Sequence, residues 1–142
     1  MLAASQAGMA FSNSSVALVH GMSRPIGAYF HVAHGLSNAM LLPKVTEFSI
    51  KGNQEKYATC ARVMKWAVDN DNDETACSKL IENLFILNED LKVPSPRNLG
   101  HSVDYNLLKL MASQALASGS PQNNPRVPTE KQIIQLYQKI WE

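Results

Sequence analysis

The stretch that decides the reading is Val19-His20-Gly21-Met22-Ser23-Arg24-Pro25-Ile26-Gly27-Ala28-Tyr29-Phe30-His31-Val32-Ala33-His34-Gly35-Leu36-Ser37-Asn38-Ala39-Met40. No charged side chain precedes Arg24, and no acidic one precedes Glu47. An apolar, small-residue helix from Leu2 to about Met22 is expected to deliver His20 near its C-terminal end. Arg24-Pro25 should close that helix, because the residue before proline is pushed out of the α region. His34 then arrives just before a second helix beginning at Gly35, and the two imidazoles should face one another across the Arg24–Ala33 turn. Imidazole is a good ligand for zinc and for ferrous iron, so His20 and His34 are the metal candidates. Two satisfied core histidines would leave the same trace in a sequence. His31 is a third imidazole nearby, and His101 falls in a distant connector as a solvent-facing or capping residue.

Outward from this stretch the chain reads as helix throughout. Its 142 residues suit one domain, able to bury roughly two-thirds of its unfolded surface. No strand-like alternation persists and no hairpin dipeptide separates apolar runs. The helix opened at Gly35 is expected to end or kink at Pro43, with a short amphipathic piece over Val45–Ile50 broken by Gly52-Asn53. A helix over Glu55–Val68 follows, with Tyr57, Cys60 or Ala61, Met64 and Ala67-Val68 on one face. Asp71-x-x-Glu74 has capping-box spacing for a helix to about Leu91, whose stripe is Cys77, Leu80, Ile81, Leu84, Leu87 and Leu91. Ser102 can cap a helix stopped by Gly119. Thr129-x-x-Gln132 caps a final helix with Ile133, Ile134, Tyr137, Ile140 and Trp141 inward. The expected fold class is all-α, one helical domain over 1–142 with about six to seven helices.

Composition excludes several classes of function. Hydrophobic residues are 45% of the chain and charged residues only 18%, with a net charge of +1. Charge this sparse, with no basic cluster, argues against nucleic acid and against a polybasic membrane patch. The first twenty-three residues lack the basic start of a signal peptide and are interrupted by Ser5, Gln6, Ser12, Asn13, Ser14, Ser15 and His20. They read as a helix buried in protein and as a chain entered part-way through a domain. Cys60 and Cys77 have no zinc-knuckle spacing and read as reduced core or near-core thiols of a cytoplasmic protein. There is no G-x-S-x-G elbow, no phosphate loop and no G-x-G-x-x-G after a strand.

Ala7-Gly8-Met9-Ala10-Phe11-Ser12-Asn13, Leu18-Val19-His20-Gly21-Met22, Pro25-Ile26-Gly27-Ala28 and His34-Gly35-Leu36-Ser37-Asn38-Ala39-Met40-Leu41-Leu42-Pro43 together carry a resemblance. With Asn124-Pro125-Arg126 near the end, they resemble the C-terminal helical domain of the iron-containing (group III) alcohol dehydrogenases over nearly the whole chain. The resemblance implies an NAD(P)-dependent oxidoreductase lineage in which Fe²⁺ or Zn²⁺ lies between a nucleotide-binding domain and a helical one. It implies metal ligands at His20 and His34, joined in the family by an Asp and a His one helical turn apart on an earlier helix. None of the nineteen residues before His20 is Asp or His. Position 24 carries Arg24 where many family members have another active-site histidine, and Ala33 replaces the usual proline before His34. The expectation is a domain inactive alone, with NAD(P) bound only if a partner supplies the nucleotide-binding half. A homo-oligomer is the other way to cover the face so exposed, and a non-catalytic oligomerisation or interaction module is the alternative function.

Overall fold

The computed structural model describes all 142 residues and contains seven α-helices and no strand. They are α1 (Leu2–Ser14), α2 (Leu18–Phe30), α3 (His34–Ile50), α4 (Gln54–Val63), α5 (Asp73–Asp90), α6 (Tyr105–Ala117) and α7 (Glu130–Trp141). Short 3₁₀ turns occupy Arg97–Leu99 and Ser120–Asn123. None of the helices is long and apolar enough to cross a membrane.

Two apolar cores organise the chain. The larger gathers Leu18, Met22 and Ile26 of α2, Leu41 and Val45 of α3, Met111 and Ala115 of α6, and Ile133, Tyr137 and Ile140 of α7. The smaller lies between α4 and α5, around Ala58, Ala61, Ala76, Cys77, Leu80 and Leu84. The last helix shows the plainest route from sequence to packing. Thr129 and Gln132 form the reciprocal capping box, and Ile133, Ile134, Tyr137, Ile140 and Trp141 are all buried. Such an amphipathic stripe follows the 3.6-residue period.

The helix boundaries at the decisive stretch differ from the expectation. The first expected helix is two: α1 ends at Ser14, and α2 starts afresh at Leu18. Ser15 adopts φ 65° between them, an uncommon conformation for a non-glycine residue. The Asn123 amide donates to the Val16 carbonyl (3.0 Å) and to Ser15 Oγ (3.3 Å), pinning this joint. Pro25 does not end α2, nor Pro43 α3; both lie inside their helices and are buried. A mid-helix proline forfeits one backbone hydrogen bond, and here the burial of each ring offsets that loss.

The chain turns at His31–Ala33 instead. His31 takes the left-handed conformation (φ 54°), and its N–H donates to the Gly27 carbonyl. A Cβ on Gly27 would lie 3.3 Å from the Val32 carbonyl oxygen, so the bare glycine lets the loop fold back onto α2. Two N-caps also shift by one or two residues: Asn72, not Asp71, caps α5, and Asp104, not Ser102, caps α6. Asp71 accepts from Lys79 Nζ (2.7 Å) and from the Val68 N–H (2.9 Å). α4 stops at Val63, short of Val68, and Lys65 beyond it has φ 59°.

The fold corrects two burial expectations. α1 buries none of its residues, and Met9 and Phe11 are exposed; its composition asks for cover that the rest of the chain does not give. Cys60 is exposed while Cys77 is buried, and both are free thiols.

Candidate metal centre

His20 and His34 meet. Their ring centroids lie 5.2 Å apart with the planes inclined at 54°. His20 is not near a helix C-terminus as the sequence suggested; it is the third residue of α2, and His34 is the first residue of α3. The approach arises because the His31–Ala33 loop doubles back over Gly27, bringing the start of α3 beside the body of α2. Gly21 keeps α2 close to its other neighbour, since a Cβ there would lie 3.0 Å from the Pro121 ring. His31 and His101 take no part: His31 is exposed in the loop, and the His101 ring packs 5.0 Å from Phe30.

Burial lowers the proton affinity of His20 below the ordinary imidazole range, and the neighbouring His34 and Arg24 lower it further. Its neutral form is therefore favoured, the form in which imidazole ligates a metal. Asn38, one turn along α3, places its amide nitrogen 3.2 Å from His34 Nε2. An amide N–H donated there places the proton on Nδ1 and occupies the Nε2 lone pair, so the amide would have to turn aside before Nε2 could ligate an ion. The Asn38 oxygen is buried without a partner, a costly state for a polar atom.

These features fit two positions of a divalent ion's shell. Metal–nitrogen bonds of about 2.0–2.1 Å in a tetrahedral site set two imidazole centroids roughly 5 Å apart, which is the spacing observed. The orphaned Asn38 oxygen marks a place where the chain alone leaves a polar demand unmet. No group of three or more His, Cys, Asp or Glu side chains assembles anywhere in the structure, so two further ligands would have to come from outside these residues or from water.

A groove of about 610 Å³ opens beside His20. Val19 of α2 and Gly35, Ala39, Leu42 and Val45 of α3 line it, Phe11 of α1 closes one side, and no charged side chain borders it. Its floor is stiffened by the Asn124-Pro125-Arg126 segment that the sequence had singled out. The Asn124 amide donates to Ser49 Oγ (2.9 Å) and to the Arg126 carbonyl (2.8 Å), and the Arg126 guanidinium stacks 4.2 Å from the Phe48 ring centre. Sequence reasoning missed Asn38 as part of the site. Its i, i+4 offset from His34 was the available signal.

This helical bundle, with two facing imidazoles beside an apolar groove, has counterparts among known proteins. The Fe-containing alcohol dehydrogenase family, in its C-terminal part, matches residues 1–141. The chain belongs to that family. It is 38% identical over 135 residues to the lactaldehyde reductase of Escherichia coli (strain K12), covering 95% of this chain and 35% of that protein. It is 33% identical to the 1,3-propanediol dehydrogenase of Citrobacter freundii, again over 35% of its length. Among solved structures it superimposes on a 1,3-propanediol oxidoreductase with a TM-score of 0.87 at 32% identity, and on an alcohol dehydrogenase from Oenococcus oeni with 0.85. Each match covers 94% of this chain and 35% of the other. The chain thus spans about a third of the length of the relatives it matches.

Proposed function

We propose that this chain supplies the two-histidine half of a divalent-metal site for NAD(P)-dependent interconversion of alcohols and aldehydes, and that these 142 residues are inactive by themselves. The observation that carries the reading is the 5.2 Å approach of His34 to His20, which lines an uncharged groove. When bound, Fe²⁺ or Zn²⁺ supplies Lewis acidity, lowering the pKa of an alcohol oxygen and stabilising the charge that develops there. His20 and His34 would hold the ion. The Asn38 amide, now on His34 Nε2, would give way to the ion. The groove walls take the carbon chain of the substrate and keep water from the reacting carbon. Hydride needs an acceptor held against that carbon, and positioning of this kind is a large part of such catalysis. The seven helices form no nucleotide-binding layer among themselves, so the acceptor would be held by a region outside these 142 residues, in a cytoplasmic setting.

Equilibrium dialysis against Zn²⁺ and Fe²⁺, on the chain and on its His20→Ala and His34→Ala variants, tests this. Weak binding that either substitution abolishes, with no NAD⁺- or NADP⁺-dependent alcohol oxidation, is the expected result. Metal uptake indifferent to both substitutions would remove the site. Cofactor-dependent turnover by the chain alone would restore it as a complete enzyme.

A second reading, a helical association module, is favoured by one observation: α1 buries none of its residues. A second copy of the chain is the partner proposed for that face.

A further inference from the structure

The two imidazoles of the pair are not equivalent. The His34 ring is held, because Asn38 Nδ2, one helical turn along α3, lies 3.2 Å from His34 Nε2. The His20 ring, its centroid 5.2 Å away, is engaged by no side-chain hydrogen bond. Asn38 is itself only half satisfied: its Oδ1 is buried with no partner. A carboxamide can donate and accept at once, yet this one holds the ring by its nitrogen while its oxygen goes unpaired. It also has room to move, since Asn38 lines the groove of about 610 Å³ alongside His20.

We propose that Asn38 is a positioning residue whose amide latches the metal-ligating nitrogen of His34 and must swing into the groove before that nitrogen is free. This rests on the metal-site reading above and goes beyond it by giving the pair an order of engagement. His20 is open from the start, and His34 joins after the amide has moved. The single lone pair on Nε2 serves either the amide N–H or an ion, so the two uses are exclusive. The latch is light for a physical reason. Turning the amide gives up one ordinary hydrogen bond, but it carries the orphaned oxygen towards space where it can be paired, and a buried polar atom without a partner is costly. The closed pose is the one the fold holds, so that gain offsets the loss only in part.

Zinc affinity of the 142-residue chain, measured by competition with a chromophoric chelator, tests the idea against Asn38→Leu and Asn38→Ala. The first keeps the bulk and loses the amide, and the second loses both. Each should bind Zn²⁺ about threefold more tightly, a fraction of one net hydrogen bond. A merely structural role would move affinity the other way, because a loosened α3 misplaces His34. Side-chain ¹⁵N resonances of His34, recorded without metal, give a second reading. The parent should carry its proton on Nδ1, and both variants should shift towards the tautomer protonated at Nε2. Circular dichroism checks that helix content is unchanged. Zinc affinity equal to or below the parent's in variants of unchanged helicity overturns the proposal. So does a His34 tautomer indifferent to loss of the amide. Failure of the metal-site reading shows separately, as zinc uptake that neither His20→Ala nor His34→Ala diminishes.

Discussion

The Tyr137 hydroxyl donates a 2.7 Å hydrogen bond to the Met22 carbonyl, tying α7 to α2 two residues beyond His20. Burial pushes the ionisation of this phenol far above the ordinary tyrosine range. A phenol whose folded pKa is raised contributes stability that is present below its unfolded value, near 10, and is lost as pH climbs towards the folded one. In a spectrophotometric alkaline titration Tyr137 should stay protonated until the chain unfolds. Tyr137→Phe should cost about 1 kcal/mol in denaturant unfolding and flatten the alkaline limb. Early ionisation of all four tyrosines with the helices intact would contradict the buried bond.

Gly52 sits where a side chain cannot go. A Cβ there would collide with the backbone of Pro125 and Arg126, and backbone cannot swing aside as a flexible side chain does. Gly52→Ala should therefore destabilise by about 1–3 kcal/mol. Gly35→Ala, which meets nothing within 4 Å, should be neutral or gain up to about 1 kcal/mol through helix propensity. Thermal unfolding of the two variants side by side gives the comparison, and equal melting temperatures would refute it.

Asp71 accepts hydrogen bonds from Lys79 and from the Val68 backbone, which hold its carboxyl below the usual carboxylate range. A depressed folded pKa gives stability that is present above the unfolded value, near 3.9, and fades as pH falls through the folded one. Asp71→Asn should therefore lower the melting temperature slightly at neutral pH and by less as pH falls, giving a shallower acid limb that converges on the parent's. A variant whose acid limb superimposes on the parent's would argue that the pair contributes nothing.

The uncovered α1 bears on self-association. A 13-residue helix is marginal in water on its own, so cover must come from elsewhere. Light scattering of the chain should show a dimer or larger species, and Phe11→Glu should shift it towards monomer with α1 less helical. A monomer at high concentration with α1 fully ordered would count against self-association.

Much of the fold is legible where local chemistry is decisive. The Thr129–Gln132 box and the apolar stripe of α7 carry their own instructions, as does the Gly52-Asn53 break, where Asn53 caps α4. Legibility fails where long-range packing overrides a local rule. Pro25 and Pro43 look like terminators until their rings are seen to be buried. α1 looks like a core helix because composition reports a need for cover without saying what meets it. Asp71 and Asn72 are both good caps, and only the position of Lys79 shows which of them is engaged elsewhere. The histidine pair was readable as a pair, but its geometry was not, since the turn depends on Gly27 accommodating the Val32 carbonyl.

That fold-back has a kinetic consequence. His20 and His34 are fourteen residues apart in the sequence, so their meeting closes a short loop at modest entropic cost. The contact between α7 and α2 through Tyr137 and Met22 spans 115 residues and must wait for most of the chain. Contacts between near neighbours in sequence form soonest. The imidazole pair thus belongs to a local hairpin that can close early, as the α4–α5 pair does, available to an ion while α7 is still finding its place.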